Sequence, residues 1–204
     1  MEQLEHRPGP KIGRPLSFNR AEALRKAMLT FWRHGYESTS LSDLTAAMGV
    51  TPPSLYAAFG NKKHLFLEAV RLYLSGPVTT EMIIKNAPTA REAAWRLLQG
   101  AAISYTGTDT PPGCLLASSA ISCSPLAADV QEELAGIRRT IESSLRKKIL
   151  RAIKKGEMKA SGDADGLAGH IMAVIQGMST LARDGASRKK LMGIAERAMQ
   201  AWPG

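Results

Sequence analysis

Between Ser40 and Gly60 two short helix signals are separated by one glycine turn, and this spacing restricts the fold more than any other stretch of the chain. Ser40-Leu41-Ser42-Asp43 has capping-box spacing: a hydroxyl takes the amide three residues on, and an acidic side chain reaches back to the cap. Leu41, Leu44 and Met48 recur on one helical face, and Gly49 tolerates the left-handed conformation that ends a helix. Thr51 then caps a segment with Pro52 at its first position, where the missing amide has no intrahelical partner anyway. Leu55 and Phe59, four apart, pin an inner face and leave Pro53, Ser54, Tyr56 and Ala57 nearer the outside. Two such helices beneath a longer first helix are predicted to form a helix-turn-helix. A short helix with small outward side chains suits the DNA major groove.

The flanking sequence supplies the remaining helices. Asn19 or Ser17 caps a first helix to about His34, with Leu24, Ala27, Met28 and Phe31 in one stripe, and Asn61 caps a fourth through about Leu74. Residues 1–13 hold Pro8, Gly9 and Pro10 among basic side chains and read as a flexible basic arm. Gly76-Pro77 marks a boundary, which places one unit at 14–75 and a second at 76–204. Beyond it the pattern is helical throughout. Helices are expected from Thr89 to about Tyr105, over Cys114–Ile121, from Ser124 to about Lys155, from Asp163 or Asp165 to Arg183, and from Ser187 to Trp202. No strand-like alternation interrupts them, so the fold class is all-α.

Composition narrows the function classes. A net charge of +9 favours a polyanionic partner, nucleic acid before an anionic membrane. That charge divides as +4 over residues 1–75 and +5 over the rest, so it does not locate a footprint. Two cysteines, Cys114 and Cys123, form no C-x-x-C pair and no disulfide framework. No apolar run approaches the roughly 18 residues of a membrane helix, and residues 1–15 lack a signal-peptide core, so a cytoplasmic protein without membrane contact is expected. There is no nucleophile motif, metal-ligand spacing, phosphate loop or paired carboxylates, so neither enzyme activity, cofactor nor metal is expected. A small-molecule-binding helical enzyme and an architectural DNA binder without a ligand are the alternatives.

Gly49-Val50-Thr51, then Leu55-Tyr56, Phe59 and Lys62, with Thr39 ahead of the second helix, resemble the signature of the tetracycline-repressor (TetR) family over about Arg14 to Leu74. Pro112-Gly113-Cys114-Leu115-Leu116 and the segment from Ala182 to Arg188 are similar to one branch of it. The resemblance implies a three-helix DNA-binding domain followed by a helical ligand-binding and dimerisation domain. It implies a repressor that leaves a palindromic double-stranded operator when a small-molecule inducer binds. Carried over by position, Thr39, Thr51, Tyr56 and Lys62 would contact phosphates, with Ser40 at the second helix start. Pro52, Pro53, Ser54 and Ala57 would face bases, and Arg14 would enter the adjacent minor groove. The chain departs from the family at Pro53, where glycine is frequent. Two prolines remove two amides from an end that otherwise binds phosphate. Side chains of Thr51, Tyr56 and Lys62 are therefore expected to hold the backbone.

Several residues have two readings. Tyr56 is a DNA contact or a core aromatic. Arg138 to Lys159 is a second anionic-partner surface or a solvated helix face. Cys114 is a reactive thiol or a small core residue. An inducer pocket among the middle helices would be lined by Trp95, Leu98, Tyr105, Cys114, Ser118, Met172 and Gln176. The apolar stripes Leu167–Leu181 and Leu191–Trp202 would pair with their symmetry mates in a homodimer through the last two helices, or close the protomer's own core.

Overall fold

A computed structural model describes residues 18–158 and 163–203, and its regular elements are all helical. The first four are α1 (Arg20–His34), α2 (Leu41–Met48), α3 (Pro52–Phe59) and α4 (Lys62–Leu74). Each begins on a side-chain cap of a type worth about 1 kcal/mol. Asn19, not Ser17, caps α1; Ser40 and Asp43 close the complete capping box; Thr51 and Asn61 accept from the amides of Ser54 and His64. Gly49 ends α2 at φ 71° and ψ 35°, the left-handed region expected of it.

α1 packs on α2 and α4, and α3 closes against both of those. Phe31, Leu44, Leu55, Leu65 and Phe66 are completely buried between them. Burying each such side chain stabilises the unit by roughly 1.5–3 kcal/mol. Phe31 and Phe66 meet edge to face with centroids 5.0 Å apart. Arg20 ties three helices together: it pairs with Glu68 at 2.8 Å, donates to the Ala58 carbonyl at 3.2 Å and lies over the Phe59 ring.

The rest comprises α5 (Thr80–Asn86), α6 (Ala90–Ser104), α7 (Leu115–Ser118), α8 (Ala128–Lys154), α9 (Ala164–Arg183) and α10 (Arg188–Gln200). α6 is central and touches α5, α8, α9 and α10. Its buried alanines, from Ala90 to Ala102, let these neighbours approach closely.

Three features differ from the sequence pattern. α5 is a separate helix capped by Thr79; with Ile84 its one fully buried side chain, it carries no readable stripe. α7 is a single turn instead of a helix through Ile121. The Ser119 carbonyl accepts the Tyr36 amide at 2.8 Å, so it serves the contact with the first unit and not a continuing helix. The α10 stripe closes the protomer's own core, because Leu191, Ala195, Ala198, Met199 and Trp202 are buried within the chain. Among the described residues, no helix is long and apolar enough to cross a membrane.

Candidate DNA interface and ligand cavity

α3 is anchored from below and open above. Leu55 and Phe59 are buried, whereas Pro52, Pro53, Tyr56 and Ala57 are exposed and Ser54 is half-buried. Tyr56 is 47% exposed, which does not fit the reading of it as a core aromatic. Thr51 Oγ1 lies 2.9 Å from Ser54 Oγ and accepts the Ser54 amide at 3.4 Å. With Pro52 and Pro53 carrying no N–H, the first amide of the helix is thus already engaged. The exposed polar atoms at this end are therefore side-chain hydroxyls.

The residues beside α3 need correction in part. Thr39 does not present its hydroxyl to a partner: it is fully buried and donates to the Gly35 carbonyl at 2.6 Å. Its short side chain instead closes the turn between α1 and α2. Ser40 is exposed, but its amide and hydroxyl both donate to Asp43. Lys62 is folded back, with Nζ 3.3 Å from the Glu37 carbonyl and 4.7 Å above the Tyr36 ring. Partial burial lowers its pKa from the ordinary lysine value, with Glu37 opposing that shift. A phosphate would have to replace these partners. Arg14 lies outside the described residues.

The second unit holds a cavity of about 1670 Å³, larger than the usual ligand pocket of roughly 300–1000 Å³. Its walls are mainly apolar, from Ile83, Ile84, Leu97, Ile137, Ile141 and Ile175. Of the expected lining residues, Tyr105, Cys114, Met172 and Gln176 do line it. Trp95, Leu98 and Ser118 do not. Leu98 is completely buried in helix packing, Trp95 packs half-buried against the core, and the Ser118 hydroxyl donates back to the Cys114 carbonyl. Helical period alone did not say which face of α6 the neighbouring helices would claim.

Among the wall residues that the expected set omits are Trp32 from α1, Tyr73 from α4 and Arg138 from α8. Trp32 is a large apolar side chain off the Leu24–Phe31 stripe, and that was the available signal. Tyr73 Oη donates to Cys114 Sγ at 3.3 Å, and burial raises the phenol pKa of both Tyr73 and Tyr105 well above the ordinary value. Arg138 belongs to the stretch read as a solvated face, yet it turns inward and donates to the Leu116 carbonyl at 2.6 Å. Partial burial lowers its pKa from the ordinary arginine value.

Specific contacts around this cavity fix the second unit's loop on α9 and join the two units. Gly113, at φ 80°, leaves no room for a Cβ, which would lie 2.7 Å from the Ser179 carbonyl. That close approach lets the Cys114 amide donate to Ser179 Oγ at 2.8 Å and fixes the loop on α9. One turn further along α9, Arg183 donates to the carbonyls of Trp32 and Arg33, both at 3.0 Å, at the C-terminal end of α1. On the opposite side Ser124 donates through its amide and hydroxyl to Glu37, and Lys63 pairs with Asp129. Cys114 and Cys123 are free thiols. Among the described residues, no group of three or more His, Cys, Asp or Glu side chains is placed to hold a metal ion.

Comparison with known proteins agrees with this geometry. Residues 23–69 match the family described as bacterial regulatory proteins, tetR family, and residues 95–200 match the tetracyclin repressor-like C-terminal domain. The chain is 36% identical over 193 residues to the HTH-type transcriptional repressor ComR of Escherichia coli K12, covering 94% of this chain and 92% of that protein. It is 27% identical over 190 residues to the repressor BdcR of the same organism, covering 93% and 91%. A cysteine mutant of the TetR family regulator CifR, solved with 26-bp double-strand operator DNA, superposes with a TM-score of 0.88 at 38% identity. That match covers 94% of this chain and all of the other. The chain belongs to the TetR family and is a sequence-specific DNA-binding transcriptional regulator.

Proposed function

We propose that this regulator is a homodimeric repressor that leaves a palindromic operator when a small molecule fills the cavity. The observation that carries the reading is that the DNA-binding unit itself builds part of the cavity wall, through Trp32 of α1 and Tyr73 and Leu74 of α4. A ligand pressing on these side chains acts on the helices that position α3. It shifts the population only by its unequal affinity for the DNA-bound and free forms. In this reading 14–75 is the DNA-binding domain and 76–204 the ligand and dimer domain. The names of ComR and BdcR as repressors support the direction of control.

On DNA, Thr51 and Tyr56 hold phosphates, Lys62 joins them after exchanging its internal partners, and Ser54 and Ala57 face base edges. Dimerisation uses the last two helices, where Gly177 on α9 is exposed and Val174 on α9 and Met192 and Gly193 on α10 are half-buried. A Cβ at either glycine would meet nothing within 4 Å. Two-fold symmetry then sets two α3 helices one DNA turn, or a multiple of it, apart.

The test is footprinting on the protein's own upstream DNA and on genomic fragments at physiological salt, followed by a thermal-shift ligand screen and a release assay. A palindromic footprint that a stabilising ligand removes is the expected result. Weak protection without sequence preference would favour an architectural role. A palindromic footprint that no stabilising ligand disturbs would defeat the switch.

A further inference from the structure

Arg138 sets one charge into the cavity wall, and the state of that charge names the head group of an occupant; this rests on the reading of the cavity as the inducer site. Five carboxylate residues and Arg188 also line the space, but all six are exposed to water that screens them. Two of the five are already ion-paired, Asp129 with Lys63 and Glu132 with Arg139. Arg188 is engaged by Thr106 and by the Ile103 carbonyl. Among the described residues, Arg138 is the one charged wall residue that is half-buried.

A guanidinium offers five N–H donors in a planar fork and stays protonated inside proteins. Arg138 uses its Nη1, which donates to the Leu116 carbonyl at 2.6 Å. Among the described residues no carboxylate pairs with it, and its Nε and Nη2 meet no acceptor. Neither nitrogen is sealed off, because among the described residues only Trp32 Nε1 is both unpartnered and without accessible surface. The titratable groups that act on Arg138 are Cys114, in the same wall, and the adjacent Arg139; no carboxylate is among them. The wall beside it is apolar, with Ile137 and Ile141 on α8 and Ile175 on α9. A half-buried cation without a counter-charge is costly, and an anion that brings its own apolar surface relieves that cost.

We infer that the inducer is an apolar molecule with a single carboxylate, and that Arg138 receives this head group in a fork from Nε and Nη2 while the apolar body lies along Ile137, Ile141 and Ile175. Arg138 is the specificity-determining residue of the cavity. Its Nη1 stays on Leu116 in α7, a turn that touches α1, α4 and α9. Head-group binding is thereby felt at a turn on which two helices of the DNA-binding unit rest.

The experiment uses three fluorescent probes with one apolar body: pyrenebutyrate, pyrenebutanol and pyrenebutylamine. Each is titrated into the full-length protein, into R138Q, which removes the charge, and into R188Q, which removes the exposed guanidinium. The acid is expected to bind the native protein about tenfold tighter than the alcohol, a ratio that falls to about one in R138Q and persists in R188Q. The amine is expected to bind most weakly. The Arg138 Nε proton, assigned in the native protein, should move downfield with the acid and stay in place with the alcohol, which gives a readout independent of the variants' folding. Equal binding of acid and alcohol, a preference that survives in R138Q or vanishes in R188Q, an unmoved Nε proton, or no binding of any probe would overturn the inference. So would tightest binding of the amine, which would make the exposed carboxylates the head-group readers. Operator release separates the two levels. An alcohol or amine that binds tightest and frees the operator refutes the carboxylate assignment and leaves the switch standing. Arg138-dependent acid binding that leaves the operator bound upholds the assignment and refutes the switch.

Discussion

Replacing Arg183 by alanine removes the clamp between α9 and the end of α1. Two hydrogen bonds of 3.0 Å go from its guanidinium to the Trp32 and Arg33 carbonyls, which carry the negative end of the α1 dipole. A charged hydrogen bond contributes about 1.5–3 kcal/mol when shielded. Arg183 is exposed, and screening cuts each of these to about 1 kcal/mol. Together the two bonds account for about 2 kcal/mol. For a chain of this size that corresponds to a fall in Tm of about 4–8 °C. A single ammonium cannot span two carbonyls in a fork, so R183K should recover about half of the loss. Calorimetry gives the melting temperatures, and amide exchange at Gly35, whose N–H donates to Phe31, reports fraying at the end of α1. An R183A protein that melts within about 1 °C of the native one, with Gly35 equally protected, would refute the clamp.

Thr39→Val keeps the shape of the side chain but leaves the Gly35 carbonyl without its donor, and should cost about 1–2 kcal/mol in urea unfolding while the salt dependence of DNA binding stays unchanged. Lys62→Ala should reduce the slope of log affinity against log salt by about 2 for a dimer on its operator; an unchanged slope would mean that the ammonium stays on the Glu37 carbonyl. The Ser124 hydroxyl and amide hold the Glu37 carboxyl below its ordinary 4.5, and Lys63 holds Asp129 below its ordinary 3.8. Because both folded values are depressed, these contacts contribute stability above the ordinary carboxylate range and lose it as pH falls through the folded values. E37Q should therefore flatten the acid limb of the stability profile, and an identical limb in the variant would contradict this.

Local signals carried most of the first unit. Caps at Asn19, Ser40, Thr51 and Asn61 act within one turn of chain, and so do the stripes of Leu44 with Met48 and of Leu55 with Phe59. They can therefore be read without knowing the fold. Thr39 was misassigned because a hydroxyl that closes a turn and one that meets a phosphate look the same in sequence; burial separates them. The cavity was half legible. Tyr105 and Cys114 flank a Pro-Gly loop whose position a sequence can indicate, whereas Trp32 and Arg138 reach the same space from helices far apart in the chain. Which face of α6 its neighbours cover is a property of helix packing, and Leu98 and Trp95 fell on the wrong side of it.

In the proposed complex α3 enters the major groove twice, in symmetry-related half-sites. Methylation interference on an operator selected from genomic fragments addresses this, because methylation at guanine N7 blocks the major groove and methylation at adenine N3 the minor. Guanine interference is expected in two clusters, their centres one helical turn or a multiple of it apart, with Tyr56→Ala abolishing the complex at physiological salt. A single cluster, interference confined to adenine N3, or a Tyr56→Ala protein that binds as the native one does would contradict it.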